Sequence, residues 1–245
     1  MFTHNEVNIS SPDVIATAFN DYFSSVFNPQ GYVPVSPPSC PLPIPECSQL
    51  FVSFGQIVSI LSKLPTNKSP GPDGILPGIL NKVACHISRP LFLLFNKSLQ
   101  LGIVPEAWRR ANITPVFKKG EKSTLSNYRP VALTSVLCKV LERAVSSAIS
   151  EHVTNFGLLS SNQHGFTKNR SCVTQLVNVM HEWASTLDRP RPPRIDAVFM
   201  DMSKAFDRMP HGVLLEKLAS GFNIRGTLWH WVRSFLTGRK QRVLF

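Results

Sequence analysis

Apolar residues recur at helical spacing along much of this chain, and the breaks between them mark its elements. Ser11-Pro12 reads as a helix start, with Ser as N-cap and Pro at the first helical position. Ala16, Phe19, Phe23 and Phe27 follow a turn apart, so the helix runs to about Val26 or Phe27. Pro34, Pro37, Pro38, Pro41, Pro43 and Pro45 then make regular structure improbable from Asn28 to Glu46 and predict a tether. From Ser53 the pattern is folded throughout. Ser53 caps a short helix to about Leu64, and apolar helical segments cover 76–83 and 90–101, the latter closed by Gly102.

Residues 112–118 alternate like a strand and break at Gly120. The clearest helix begins at Thr134 or Ser135: Val136, Leu137, Val140, Leu141, Ala144, Val145, Ala148, Ile149 and Val153 form one stripe, stopped by Gly157. Ser171 caps another helix whose inner face is Val173, Leu176, Val177, Met180, Trp183 and Leu187. Residues 195–200 are short, apolar and β-branched, bounded upstream by Pro190, Pro192 and Pro193, and predict a buried strand. Helices over 210–220 and 226–237 follow, then a strand start at 241–245 with nothing after it to pair or cap it, which suggests truncation within a domain. No internal repeat is present. The fold class is α+β, in three parts: an N-terminal helix (1–27), a Pro-rich linker (28–50) and a folded domain (51–245).

Composition narrows the class. A 43% hydrophobic content over 245 residues suits one large or two small soluble domains. The apolar cluster at 91–95 is far short of the roughly 20 residues needed to span a bilayer. Glu6 and polar neighbours stand where a signal peptide needs an apolar core. Five scattered cysteines include no Cys-x-x-Cys pair, so zinc and disulfide frameworks are poorly supported; Cys138 and Cys172 read as core or boundary residues. An intracellular setting, nuclear or cytoplasmic, is the expectation. The net charge of +11 is uneven: residues 1–62 carry no Lys or Arg and sum to −4, whereas 63–245 sum to +15. A polyanionic partner follows, nucleic acid ahead of a membrane surface.

Few residues are suited to chemistry. Lys68-Ser-Pro-Gly-Pro-Asp-Gly74 lacks the spacing of a phosphate loop, and its prolines remove the N–H groups such a loop uses; it reads as a rigid turn. Lys118, Lys119, Lys122 and Arg129 cluster on and after the 112–118 strand, and Arg129 has the fork that binds phosphate bidentately. Asp201, at the end of the 195–200 strand, is placed to hold a metal-binding oxygen in a cleft; helix capping is the alternative. Asp207 reads as the cap of the helix beyond Pro210. Lys204 is either a surface residue or a partner of Asp207.

Phe199-Met-Asp-Met-Ser-Lys-Ala-Phe-Asp207 with His211 resembles the first catalytic motif of reverse transcriptases from non-LTR retrotransposons, the LINE class, and most of all the jockey-like elements. The other blocks occur in order. Phe19-Asn-Asp-Tyr-Phe-Ser-Ser-Val-Phe27 is similar to the segment between endonuclease and polymerase, and the 68–74 loop resembles the first polymerase block. Residues 108–142, with Ile113-Thr-Pro-Val-Phe-Lys118, Asn127-Tyr-Arg-Pro130 and Lys139-Val-Leu-Glu142, resemble the fingers block. Gln163-His-Gly-Phe166 with Arg170-Ser171 resembles the block before the catalytic strand. Five blocks in this order are highly specific.

The resemblance implies the fingers and the first part of the palm of a right-hand polymerase that transfers dNTPs to a DNA primer on an RNA template. Asp201 and the Met202 carbonyl would hold two Mg²⁺ ions. Phe206 would be the steric gate against a 2′-hydroxyl, and Lys118 and Arg129 would neutralise the triphosphate. Gln163, Gly165, Phe166 and Arg170 would line the template path. The Ala-Asp-Asp hairpin that supplies the family's second carboxylate does not occur in these 245 residues. One carboxylate cannot hold two divalent ions against their repulsion, so the chain alone is expected to be inactive. A non-catalytic nucleic-acid-binding remnant is the alternative. An unrelated Mg²⁺ phosphohydrolase on Asp201 ranks last, because only Asp196 and Asp207 lie near it.

Overall fold

The computed structural model describes residues 2–4, 7–27, 33–37 and 42–245. Pro38, Cys40 and Pro41 of the predicted linker, and Asn28 at its start, lie outside the described residues. The chain divides into a larger unit, 1–152 with 204–245, and a smaller one, 153–203.

The larger unit begins with a hairpin, β1 (Phe2–His4) and β2 (Val7–Ile9). Helix α1 (Pro12–Val26) starts as predicted with Pro at its first position, although the Ser11 side chain makes no cap hydrogen bond. Ile15, Ala18, Phe19 and Phe23 are its buried stripe. Helix α2 (Phe54–Ser62) carries a full capping box, Ser53 with Gln56. Its C-terminus is closed by Asn81, whose Nδ2 donates to the carbonyls of Leu61, Ser62 and Leu64. Asn81 belongs to the short helix α3 (Pro77–Lys82).

Helix α4 (Ala84–Leu101) begins before Pro90, where the sequence predicted its start, and runs through it. Ala84, Ser88, Leu91, Phe95 and Leu99 make one buried face across the proline, and that burial offsets the lost backbone hydrogen bond. Gly102, at φ 64, ends the helix.

A three-stranded sheet of order β4-β3-β5 is formed by β3 (Arg110–Phe117), β4 (Tyr128–Thr134) and β5 (Lys240–Val243). β3 and β4 are antiparallel, Val116 opposite Arg129 and Pro115 opposite Pro130; β5 runs parallel to β3, Asn112 beside Arg242. The C-terminal strand takes its partner from upstream in the chain, in β3. β4 was not predicted.

Helix α5 (Val136–Asn155) follows β4 directly. Helices α7 (His211–Phe222) and α8 (Gly226–Leu236) complete the larger unit. One core joins α2, α4, α5, α7 and α8 around Phe95, Trp108, Leu141, Trp229 and Trp231. A second holds α1 against the sheet through Phe2, Phe19, Phe23, Ile113 and Leu125.

The predicted tether is partly laid on this body. Arg233 Nε donates to the Pro34 carbonyl at 2.8 Å, and Asn223 Nδ2 to that of Ile44 at 2.8 Å. Cys47 bridges Ile224. No helix or strand forms among the described residues of 33–46.

The smaller unit contains the end of α5 and helix α6 (Cys172–Leu187), started by a Ser171–Thr174 capping box. None of α6 is buried: of the predicted inner face, Val173, Leu176, Val177, Met180 and Leu187 are exposed and Trp183 is half-buried. Residues 195–200 form no strand, and Met200 is 91% exposed. A strand persists only when a neighbour takes its N–H and C=O groups, and no described strand pairs with this segment. No helix among the described residues is long and apolar enough to cross a membrane.

Candidate functional site

In the larger unit, a cleft of about 630 Å³ opens beside the sheet. Pro130 and Ala132 of β4 and Ala111 and Ile113 of β3 form its floor, because strand alternation turns these residues to one face. Ser24 and Phe27 come from the end of α1 and its C-cap. Phe206, Asp207 and His211 come from the turn and helix start beyond the small unit. Phe206 is 83% exposed at this cleft.

Local hydrogen bonds shape the Phe206 turn. Asp207 N and Arg208 N donate to the Lys204 carbonyl at 3.0 and 3.1 Å. Lys204 itself adopts φ 55, the left-handed region that disfavours side chains. Its Nζ donates to Tyr22 Oη at 3.0 Å and lies 4.8 Å from that ring's centre. Two sequence expectations are thereby decided. Lys204 is an exposed residue, one of the two readings offered for it, and bonds Tyr22 rather than Asp207; the cap position of α7 is Pro210, without a side-chain cap bond from Asp207. Burial, helped by the nearby Arg239 guanidinium, lowers the His211 pKa below the usual histidine range.

Lys118 and Arg129 lie at the loop end of the β3–β4 hairpin, where Lys118 N donates to the Asn127 carbonyl at 2.9 Å. Arg129 stands beside Pro130 in sequence and so on the other face of the sheet from the cleft floor. The three residues expected to contact a nucleotide thus divide between the cleft (Phe206) and the hairpin (Lys118, Arg129).

The smaller unit holds the rest. Its loop 160–171 is braced from within: Arg170 Nη1 donates to the carbonyls of Ser161 and Gln163, and Gln163 Nε2 to that of Gly165 at 3.1 Å. His164, overlooked in the sequence, is buried and pins the loop to α6 through Thr174 Oγ1 at 2.8 Å. Phe166 sits at the loop's tip with φ 56 and is 96% exposed. Asp201 and Met202 are exposed in the segment leaving this unit.

The donor set around Asp201 is small. Asp196 is paired with Arg194 at 2.8 Å, and no group of three or more His, Cys, Asp or Glu side chains is assembled among the described residues. A hard dication takes about six oxygen ligands. One carboxylate and one carbonyl do not make a two-ion site.

Comparison with known proteins decides the family. The sequence profile of "Reverse transcriptase (RNA-dependent DNA polymerase)" matches residues 116–244, which is more than half of the chain. The chain belongs to the reverse transcriptase family.

Its relatives are the enzymes of non-LTR retrotransposons. It is 30% identical over 168 residues to the probable RNA-directed DNA polymerase from transposon BS of Drosophila melanogaster, covering 68% of this chain and 18% of that protein. It is 28% identical over 193 residues to the RNA-directed DNA polymerase from mobile element jockey of the same species, and 30% over 195 residues to that of Drosophila funebris. Each jockey match covers 78% of this chain and 21% of the relative. This reverse transcriptase chain therefore spans about a fifth of the length of the curated relatives it matches.

Proposed function

We propose that this chain carries the nucleotide-selecting and template-contacting parts of an RNA-directed DNA polymerase that copies a retrotransposon's RNA onto a DNA primer. The observation that carries the reading is the placement of Phe206 at a cleft of about 630 Å³, a size suited to a nucleotide. A ring at the edge of such a cleft would stand against the sugar of a bound nucleotide and disfavour a 2′-hydroxyl. Deoxynucleotides are then the substrate class. The hairpin of β3 and β4 acts as the fingers, and Lys118 and Arg129, which stand at its loop end and not in the Phe206 cleft, are phosphate-binding side chains outside that cleft. Gln163, Gly165 and Arg170 shape a loop that offers Phe166 to the template strand. The Asp201 segment is the start of the palm.

Magnesium, when held by Asp201 and the Met202 carbonyl together with acids from outside these residues, would supply charge stabilisation for phosphoryl transfer. The described residues present do not complete that site. For the same reason we propose that the 245-residue chain binds but does not polymerise. A non-catalytic nucleic-acid-binding role is the second reading, favoured by that single carboxylate.

Equilibrium nucleotide binding tests the gate. dATP should bind at least about tenfold tighter than ATP, the usual scale of one steric clash, and Phe206→Ala should remove the preference. Equal binding of the two by the unaltered chain rejects the gate.

A further inference from the structure

The turn that carries Phe206 is fastened from a distance. Tyr22 of α1 accepts a hydrogen bond on its hydroxyl from Lys204 Nζ at 3.0 Å. Both residues lie in the larger unit. Lys204 closes the turn through its carbonyl, which accepts from Asp207 N and Arg208 N. It does so at φ 55, a conformation that costs a lysine free energy and persists only where surrounding contacts hold it. A solvent-facing Lys–Tyr contact alone would be unremarked. A hydrogen bond from the one strained residue of the gate turn to a packed helix is a different matter.

Helix α1 is itself firmly placed. Phe19 and Phe23 are buried, and Phe19 meets Phe2 and Tyr128 edge to face. Gln241 Nε2 of β5 donates to Asn20 Oδ1 and Ser24 Oγ, each at 3.2 Å. Ser24, Gln241 and Phe206 line the same cleft. The anchor point is therefore rigid where the turn is strained.

We propose that Tyr22 is a positioning residue: it holds Lys204, fixes the turn from Lys204 to Arg208, and so sets where the Phe206 ring stands. Sugar selection then depends on the N-terminal helix. This rests on Phe206 being the sugar gate.

Hydrogen exchange read by mass spectrometry on the 245-residue chain follows the turn through the Asp207 and Arg208 amides. Tyr22→Leu and Lys204→Met should each speed exchange there about fivefold, and the double variant no more than either alone. Exchange in α1 and α7 should stay as it was. Unchanged exchange in the turn, independent effects that multiply, or an equal rise in α1 and α7 overturns the proposal. The nucleotide arm reads selection. Tyr22→Leu should cut the dATP-over-ATP preference at least threefold while dATP affinity stays within twofold; a loosened turn with full preference also overturns it. If the unaltered chain shows no preference, the gate reading fails, and the exchange cycle still decides whether Tyr22 holds the turn.

Discussion

Phe166 combines a φ of 56 with 96% exposure, and neither is what packing selects. A left-handed non-glycine residue costs about 1–2 kcal/mol, and the exposed ring returns little of it by burial. Strain retained at a braced loop tip is a reason to look for a ligand there, and a solvent-exposed aromatic suits base stacking. Phe166→Ala should weaken single-stranded RNA binding by about 1–3 kcal/mol, while Phe166→Trp should keep it. Because the side chain is exposed, the Ala variant should unfold within about 0.5 kcal/mol of the parent. A filter-binding titration beside a urea melt checks both; equal RNA affinity in all three chains would remove Phe166 from the template path. At this scale the sequence named motifs but not their contacts. Asp201, Phe206 and Phe166 stand out by pattern. Tyr22 and Lys204 are 182 positions apart, and no local pattern reports such a pairing.

Elements were legible where local patterning and packing agree. The capping residues Ser53 and Ser171, the stop at Gly102 and the long stripe of α5 all mark real helix boundaries. β4 was hidden by Pro130, which discourages a strand reading. It is tolerated because β4 is an edge strand, and Pro115 opposite it lies beyond the stretch of β3 that β5 pairs. The α6 stripe and residues 195–200 show the converse. Their apolar pattern is right for burial, but pattern cannot say which surface covers them. The 68–74 loop shows what a turn reading omits. A Cβ on Gly71 would stand 2.5 Å from Thr134 C and O and 2.7 Å from Ser135 N, all backbone atoms at the β4–α5 junction. Gly71→Ala should therefore cost about 1–3 kcal/mol through forced displacement. Gly55 in α2 has nothing within 4 Å, so Gly55→Ala should stabilise by up to about 1 kcal/mol. Chemical denaturation of the two variants checks the opposite signs; a neutral Gly71→Ala would mean that the loop does not press on the junction.

For the whole molecule, charge is the property the sequence states most directly. A segment of −4 precedes a body of +15, and the 26 basic residues are far more than the four ion pairs seen among the described residues can neutralise. Such an excess attracts a polyanion and makes its binding depend on salt through counterion release. If about five phosphates are contacted on a single strand, affinity should fall roughly a hundredfold between 50 and 200 mM salt. Asp201→Asn should leave that binding unchanged, because a carboxylate makes no attractive contact to a phosphate. In the same tubes, an RNA template, a DNA primer, dNTPs and Mg²⁺ should give no primer extension, since a single carboxylate cannot hold two divalent ions close together. Mg²⁺-dependent incorporation abolished by Asp201→Asn would overturn this and show that the 245 residues assemble a complete site. Binding that ignores salt would instead remove the electrostatic body from the account. The two measurements separate what the charge does from what Asp201 does, and the sequence alone leaves those joined.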